Sequence, residues 1–263
     1  TTKKKDTISD FLYSGRKLTI PSLVATLVTT WYGGINEIGI ETLHNGIVVW
    51  LYFGFFYYIS ALLYAYIIAP KIIAKNYNSI PITIYKTYGK IPALISLSTI
   101  LLYLIPASYL LILGQLISGI FNINQMLAII LGLMISTLYT LKGGFSSIIK
   151  TDKIQFIFMY LGFAVMLFYL YNNFGGINFI IENVPKGHFQ LSDSLPVSYI
   201  LSWFFISFII VIDPSIFQRT YSTKDITTVK KGLLISIIFW FIFDLLTITT
   251  GLYASAIIIQ SEL

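Results

Sequence analysis

Residues 29–39 read TTWYGGINEIG and fall inside a hydrophobic run. Two adjacent glycines, Gly33 and Gly34, weaken a helix there, because glycine in a helix interior costs about 1 kcal/mol relative to alanine. Asn36 and Glu37 follow within four residues, and hydrocarbon solvates neither. The stretch therefore predicts a membrane helix interrupted near its middle, with polar groups gathered at the interruption.

The surrounding composition supports a membrane setting. The chain has 263 residues, of which 56% are hydrophobic and 11% charged, and its mean hydropathy is +0.81. A soluble domain of this size needs more charge to cover its surface. An aromatic content of 16% suits a bilayer protein with interfacial belts. The absence of cysteine excludes a disulfide framework, thiolate chemistry and Cys-ligated metal. The two histidines, His44 and His188, lie far apart and outside any HExxH pattern. No Ser or metal motif falls at membrane depth, which argues against an enzyme. The first residues, TTKKKDTISDFLYSGRKL, carry neither an initiator Met nor the layout of a signal peptide. The last, YASAIIIQSEL, stop just past an apolar run. The expectation is part of a longer protein, truncated at both ends.

Crossing the hydrocarbon core takes about 20 apolar residues. Seven segments qualify, at about 20–40, 46–69, 91–120, 125–141, 153–172, 196–216 and 233–258. Their connecting segments alternate sharply in charge. Lys3, Lys4, Lys5, Arg16 and Lys17 precede the first span. Lys71, Lys75, Lys86 and Lys90 follow the second. Lys142, Lys150 and Lys153 follow the fourth, and Arg219, Lys224, Lys230 and Lys231 follow the sixth. Of the 17 Lys and Arg residues only Lys186 falls on the other side. That asymmetry predicts an N-terminus in the cytoplasm and an integral protein of the plasma membrane, the inner membrane of a bacterium. It also accounts for the net charge of +6 without nucleic acid as a partner. The long loop after the fifth span contains GGINFIIENVP, which reads as a short interfacial helix.

Ionisable residues at membrane depth mark pathways or sites by default. Here they are Glu37, Asp213 and Asp244, with Asp152 at the mouth of the fifth span and no basic residue expected at mid-membrane. In the sixth span, IDPSIFQR places Pro214 where it removes a backbone donor and frees a carbonyl near residue 210. Interrupted helices in corresponding positions of two halves point to a transporter's midplane site. The first and sixth spans are five apart, as two five-helix halves require. Freed carbonyls and acids favour a hard cation such as sodium. Plainer readings stand beside these. The glycine pair suits close helix packing, Pro214 suits an ordinary kink, Asp244 suits a structural hydrogen bond, and the aromatic run YFGFFYY at 52–58 suits lipid contact or packing.

Four stretches resemble the sodium:solute symporter family. SDFLYSGRKL is similar to the segment before that family's first core helix, and TWYGGINEIG to the broken helix itself. GGFSSIIKTDKIQFIFM resembles the segment leading into core helix five, and DPSIFQRTYSTKD the end of core helix six. The resemblance implies an all-α, leucine-transporter-like bundle of inverted repeats. Residues 18–173 would form the first five-helix repeat, and 195–260 the first two helices of the second, in a single transmembrane domain. It implies sodium-coupled symport of a small solute across the lipid bilayer by alternating access, with sodium as the bound ion and no organic cofactor. The backbone carbonyls of Thr29 and Tyr32 would bind sodium, and Gly33, Gly34, Asn36 and Asp213 would face the solute. Asp152 would lie on the sodium exit path. The family's sugar-binding glutamate on helix two falls near Phe55 here, and Asp213 replaces a common amide. Both departures favour an amino-acid-like or amine solute over a sugar. A proton-coupled transporter and the sensor module of a signalling protein are the rival readings.

Overall fold

The computed structural model describes residues 8–32, 35–75, 79–191 and 195–262, without the side chains of Ile35, Asn36 and Glu262. It is an all-α bundle. A short helix α1 (Ile8–Tyr13) leads into a tight turn at Ser14–Arg16, whose three residues all have positive φ. Glycine at the central position adopts that conformation without the Cβ clash that other residues suffer.

The first span is in two pieces. Helix α2 (Ile20–Trp31) ends at Tyr32, and α3 (Ile35–Asn45) resumes three residues later. The interruption read at Gly33 and Gly34 lies outside the described residues. Helix α4 (Trp50–Lys75) forms the second span and widens into π-helical turns at Trp50–Phe55 and Tyr64–Ile68. A surface helix α5 (Ile80–Tyr88) follows, capped by the Ser79 hydroxyl.

The third span differs from its sequence reading. The apolar run 91–120 is divided into α6 (Lys90–Tyr103) and α7 (Ala107–Phe121), with a break at Leu104–Pro106. Pro106 cannot donate to the helical ladder, and it disfavours helical backbone at Ile105 before it. The fourth and fifth spans are also joined differently. One helix, α8 (Gln125–Phe174), runs through both and bends at Gly144, where φ is 56° and ψ −148°. Fifty helical residues extend about 75 Å, far more than a bilayer core of about 30 Å. The two spans read from sequence at 125–141 and 153–172 are thus parts of one bent helix. Residues 145–152, read from sequence as loop, are helical, and Asp152 lies within the helix.

The interfacial helix read from GGINFIIENVP is present as α9 (Ile177–Asn183). The sixth span begins as α10 (Val197–Ser207), tightens at Phe208–Val211, and restarts as α11 (Pro214–Tyr221). Pro214 starts the new helix, a position that needs no N–H. Helix α12 (Ile226–Glu262) completes the bundle. Five helices, Trp50–Lys75, Lys90–Phe121, Gln125–Phe174, Val197–Tyr221 and Ile226–Ser261, are long and apolar enough to cross a membrane. The sequence reading of seven spans divides Gln125–Phe174 in two and adds the first span, whose helix Ile20–Trp31 is shorter than a full crossing. The protein is an integral membrane protein.

The core lies between α2, α3, α4 and α12, where Val28, Tyr52, Tyr64, Trp240 and Phe243 are almost wholly buried. Leu102, Ile120 and Phe158 of α7's neighbourhood and α8 stay on the outer surface. At one end of the bundle, the turn Lys186–Phe189 docks on the end of the first span. The His188 ring nitrogen Nε2 lies 3.0 Å from the Leu43 carbonyl, and the His188 carbonyl accepts from Ile47 N–H at 2.8 Å. Gly46 permits this approach. A Cβ there would sit 2.2 Å from the His188 oxygen, and its φ of 72° is left-handed.

Candidate functional site

Both interrupted spans open onto one cavity of about 750 Å³. The end of α2 contributes Thr29, Thr30 and Trp31, α3 contributes Glu37, and the restart of the sixth span contributes Asp213, Ser215 and Arg219. Tyr103 and Tyr109 line it from either side of the break in the third span, and Asp152 and Gln155 from α8. Phe53, Tyr57 and Trp240 complete an aromatic wall. Trp31 packs between Tyr57 and Trp240, with ring centroids 4.5 and 5.6 Å away.

Asp213 is where the sequence places it, but much of its bonding capacity is already used. Its Oδ1 accepts from the Ser215 N–H at 2.7 Å, the Ile216 N–H at 3.2 Å and the Ser215 hydroxyl. It therefore caps the N-terminus of α11, where a carboxylate also complements the helix dipole. Its Oδ2 accepts from the Tyr103 hydroxyl at 2.9 Å. That bond joins the third span's break to the sixth's. The Pro106 in LLYLIPASYLL was the sequence signal for this contact, and hydropathy alone hides it.

Asp152 is buried at the base of the cavity, and a basic residue reaches it after all. Arg219 Nη2 lies 3.8 Å from Asp152 Oδ2, and both residues are almost fully buried. Thr26 joins them, donating its hydroxyl proton to Asp152 and accepting from Arg219 Nε at 3.0 Å. Arg219 also donates to Thr30 Oγ1 and to the Ser215 carbonyl at 3.0 Å. Its guanidinium lies 5.7 Å from the centre of the Phe145 ring, within cation–π reach. Arg219, read from sequence with the segment after the sixth span, is therefore buried and paired with Asp152. α11 starts at Pro214, so Arg219 falls one turn after Ser215 and points along the same face into the bundle, not toward a loop.

Four sequence segments converge around this pair. Gly144 packs against Phe11, with the Phe11 carbonyl 2.4 Å from the position of a Cβ. Ser146 donates to the Ser14 hydroxyl at 2.9 Å, and Gln218 to the Leu12 carbonyl at 3.0 Å. The Leu18 N–H donates to the Ser222 carbonyl at 3.0 Å. The segments SDFLYSGRKL, GGFSSIIKTD and DPSIFQRTYSTKD are thus one contiguous structure, which closes on α2 through Thr26 and Thr30.

Thr29 and Tyr32 stand in the last turn of α2 and at its cap. The final carbonyls of a helix lack partners within it, and Thr29 and Tyr32 lie at that end. Thr29's own hydroxyl bonds back to the Ala25 carbonyl at 2.9 Å. The Asn36 side chain lies outside the described residues. The run YFGFFYY is more than lipid contact. Tyr52, Tyr57 and Tyr58 are buried, and the Tyr58 hydroxyl donates to Asp244. Phe55, where a sugar-binding glutamate would be sought, is 39% exposed. Phe53 and Tyr57 line the cavity instead, so the second span offers it no carboxylate.

The match to known proteins follows these segments. The sodium:solute symporter family model matches residues 11–261. The chain belongs to the sodium:solute symporter family. That family comprises transporters, not enzymes. Similar curated proteins include the sodium/glucose cotransporter of Vibrio parahaemolyticus, 25% identical over 221 residues, 74% of this chain and 39% of the relative. The solute carrier family 5 member 4A of Mus musculus is 26% identical over 68% of this chain and 28% of its own length. The sodium/myo-inositol cotransporter 2 of Sus scrofa is 25% identical over 68% of this chain and 27% of its own. The chain thus spans less than half the length of these relatives.

Proposed function

We propose that the full-length protein is a sodium-coupled symporter of a small polar organic solute, with the solute held between the broken first and sixth spans. The observation that carries this reading is the shared cavity. Two helix interruptions far apart in sequence open into the same space, lined by the end of α2 and the start of α11. The carbonyls of Thr29 and Tyr32 would bind sodium, and Gly33, Gly34, Asn36 and Asp213 would contact solute. Asp152 would receive sodium on its way to the cytoplasm. One sodium ion moving through 100 mV gains about 2.3 kcal/mol, enough for about fiftyfold accumulation before the sodium gradient is counted. Residues 18–173 and 195–260 would belong to two inverted repeats of one transmembrane domain. The N-terminal segment would face the cytoplasm, across the inner membrane if the source is bacterial.

The charge of the cavity favours an amino-acid-like or other amine solute. Arg219 neutralises Asp152, which leaves Glu37 and Asp213 as the cavity's remaining charges. Trp31, Tyr57 and Tyr103 offer ring faces that attract a cation. A polyol is the second reading, supported by the relatives whose names specify glucose and myo-inositol. Equilibrium binding of radioactive sodium to the purified full-length protein tests both readings. Measurements would be made with no solute, with a pool of amines and amino acids, and with a pool of sugars and inositols. Saturable binding strengthened by the amine pool, and by less in Asp213→Asn, is the expected result. Strengthening by the polyol pool alone would select the second reading. No saturable sodium binding at any pH would overturn sodium coupling and favour proton coupling through Glu37 and Asp213.

A further inference from the structure

Asp244 is an acid with 2% exposure in the middle of α12, and it does not line the cavity. Its Oδ1 lies 2.5 Å from the hydroxyl of Tyr32, the residue that caps α2 at the interruption. The same hydroxyl lies 2.8 Å from the Trp240 carbonyl, one turn earlier in α12. Its Oδ2 accepts from the Tyr58 hydroxyl of α4. One side chain thus fastens the first, second and seventh spans together beside the break.

The surrounding backbone makes room for it. A Cβ at position 54 would lie 2.5 Å from Asp244 Oδ2 and 3.0 Å from the Tyr58 hydroxyl, and residue 54 is glycine. That glycine sits in the π-helical turn Trp50–Phe55, and such turns concentrate at functional sites. A carboxyl group inside a membrane bundle is costly, and a leucine would fill the same space with no polar group to satisfy. A broken helix end, however, has lost the ladder that holds the rest of a helix in place. Something else must fix the direction of its terminal carbonyls.

We propose that Asp244 is the positioning residue for the break in the first span, holding Tyr32 so that the carbonyls of Thr29 and Tyr32 converge on the ion. This rests on the sodium reading of those carbonyls. Asp244 itself touches neither ion nor solute. An asparagine can do the same work. Its amide N–H₂ donates to the Tyr32 oxygen while the Tyr32 hydroxyl donates to Trp240, and its carbonyl accepts from Tyr58.

The test is equilibrium binding of radioactive sodium alone to the purified full-length protein. Asp244→Ala and Tyr32→Phe should each raise the half-saturating sodium concentration by about five- to tenfold, the range for one lost buried hydrogen bond. The number of sites per protein should not change. Asp244→Asn should restore half-saturation to near the wild-type value. The double variant Asp244→Ala with Tyr32→Phe should be no weaker than the weaker single variant, because both remove the same tie. A purely structural role would lower the number of competent sites and leave half-saturation alone. Unchanged half-saturation in Tyr32→Phe, which keeps its carbonyl and loses only its hydroxyl, overturns the positioning role even if Asp244→Ala fails to fold. Wild-type protein without saturable binding removes the sodium site itself, and this role with it.

Discussion

Asp152 and Asp244 are 7% and 2% exposed, and each holds a different point of α2: Thr26 for one, Tyr32 for the other. Asp152 faces the cavity and lies beside a guanidinium. Asp244 lies away from the cavity and, among the described residues, its carboxyl group accepts from two phenol hydroxyls. Both acids flank Thr29 along the same helix, one from α8 and one from α12. The difference is one of charge. Asp152 has a guanidinium beside it at the cavity, whereas the described partners of the Asp244 carboxyl group are hydroxyl donors. The contrast predicts that neutralising Asp152 and neutralising Asp244 have different consequences.

Arg219→Met breaks the contrast most severely. It leaves Asp152 buried without its cation, and removing one partner of a buried pair costs about 3–5 kcal/mol. Thermal unfolding of the detergent-solubilised protein should show a large loss of stability, mostly recovered when Asp152→Leu is added. Asp244 should behave differently. Asp244→Leu strands the Tyr58 hydroxyl and leaves Tyr32 only the Trp240 carbonyl, at about 1–3 kcal/mol, while Asp244→Asn keeps both ties and should unfold close to wild type. An Asn variant as unstable as the Leu variant would mean that the charge of Asp244 matters, and the contrast would fail.

The glycines beside the two acids sharpen the same comparison. Gly144→Ala forces a Cβ against the Phe11 backbone in a left-handed conformation, whereas Gly54→Ala meets side-chain ends, those of Asp244 and Tyr58. Both fall in the range of about 1–3 kcal/mol for overpacking, with Gly144→Ala the worse. Protease accessibility of the N-terminal segment should rise in the first and not in the second. The smallest effect concerns an acid in water. Asp225 accepts from the Thr228 N–H at 2.8 Å, which holds its carboxyl below the ordinary carboxylate range. Its contribution is complete above that range and disappears as pH falls through its lowered value. Hydrogen exchange in the first turn of α12 should therefore quicken in acid, with the amides around Asp244 unaffected.

The sequence announced the broken helices clearly. Asp213-Pro214 changes backbone energetics locally, so a linear reading finds that break. The apolar runs likewise marked the membrane helices, because hydropathy depends only on local composition. What escaped that reading depends on helical phase and on contacts between distant segments. Arg219 was counted with a loop because nothing in the linear order shows that α11 begins at Pro214 and turns residue 219 inward. The bend at Gly144, which keeps residues 145–152 helical, needed the close approach of Phe11. Tyr58 lay hidden in a run of aromatic residues, and only its phase opposite Asp244 distinguishes it from the exposed Phe55. The polar break was legible, and the side chains that fix it were not.

Uptake by the full-length protein in proteoliposomes tests the central claim most directly. An amine and amino-acid panel would be offered under an inward sodium gradient and under the same gradient of choline. The account predicts concentrative uptake of at least one panel member with sodium, none with choline, and none in Asp213→Ala. Equal uptake in sodium and choline would contradict it.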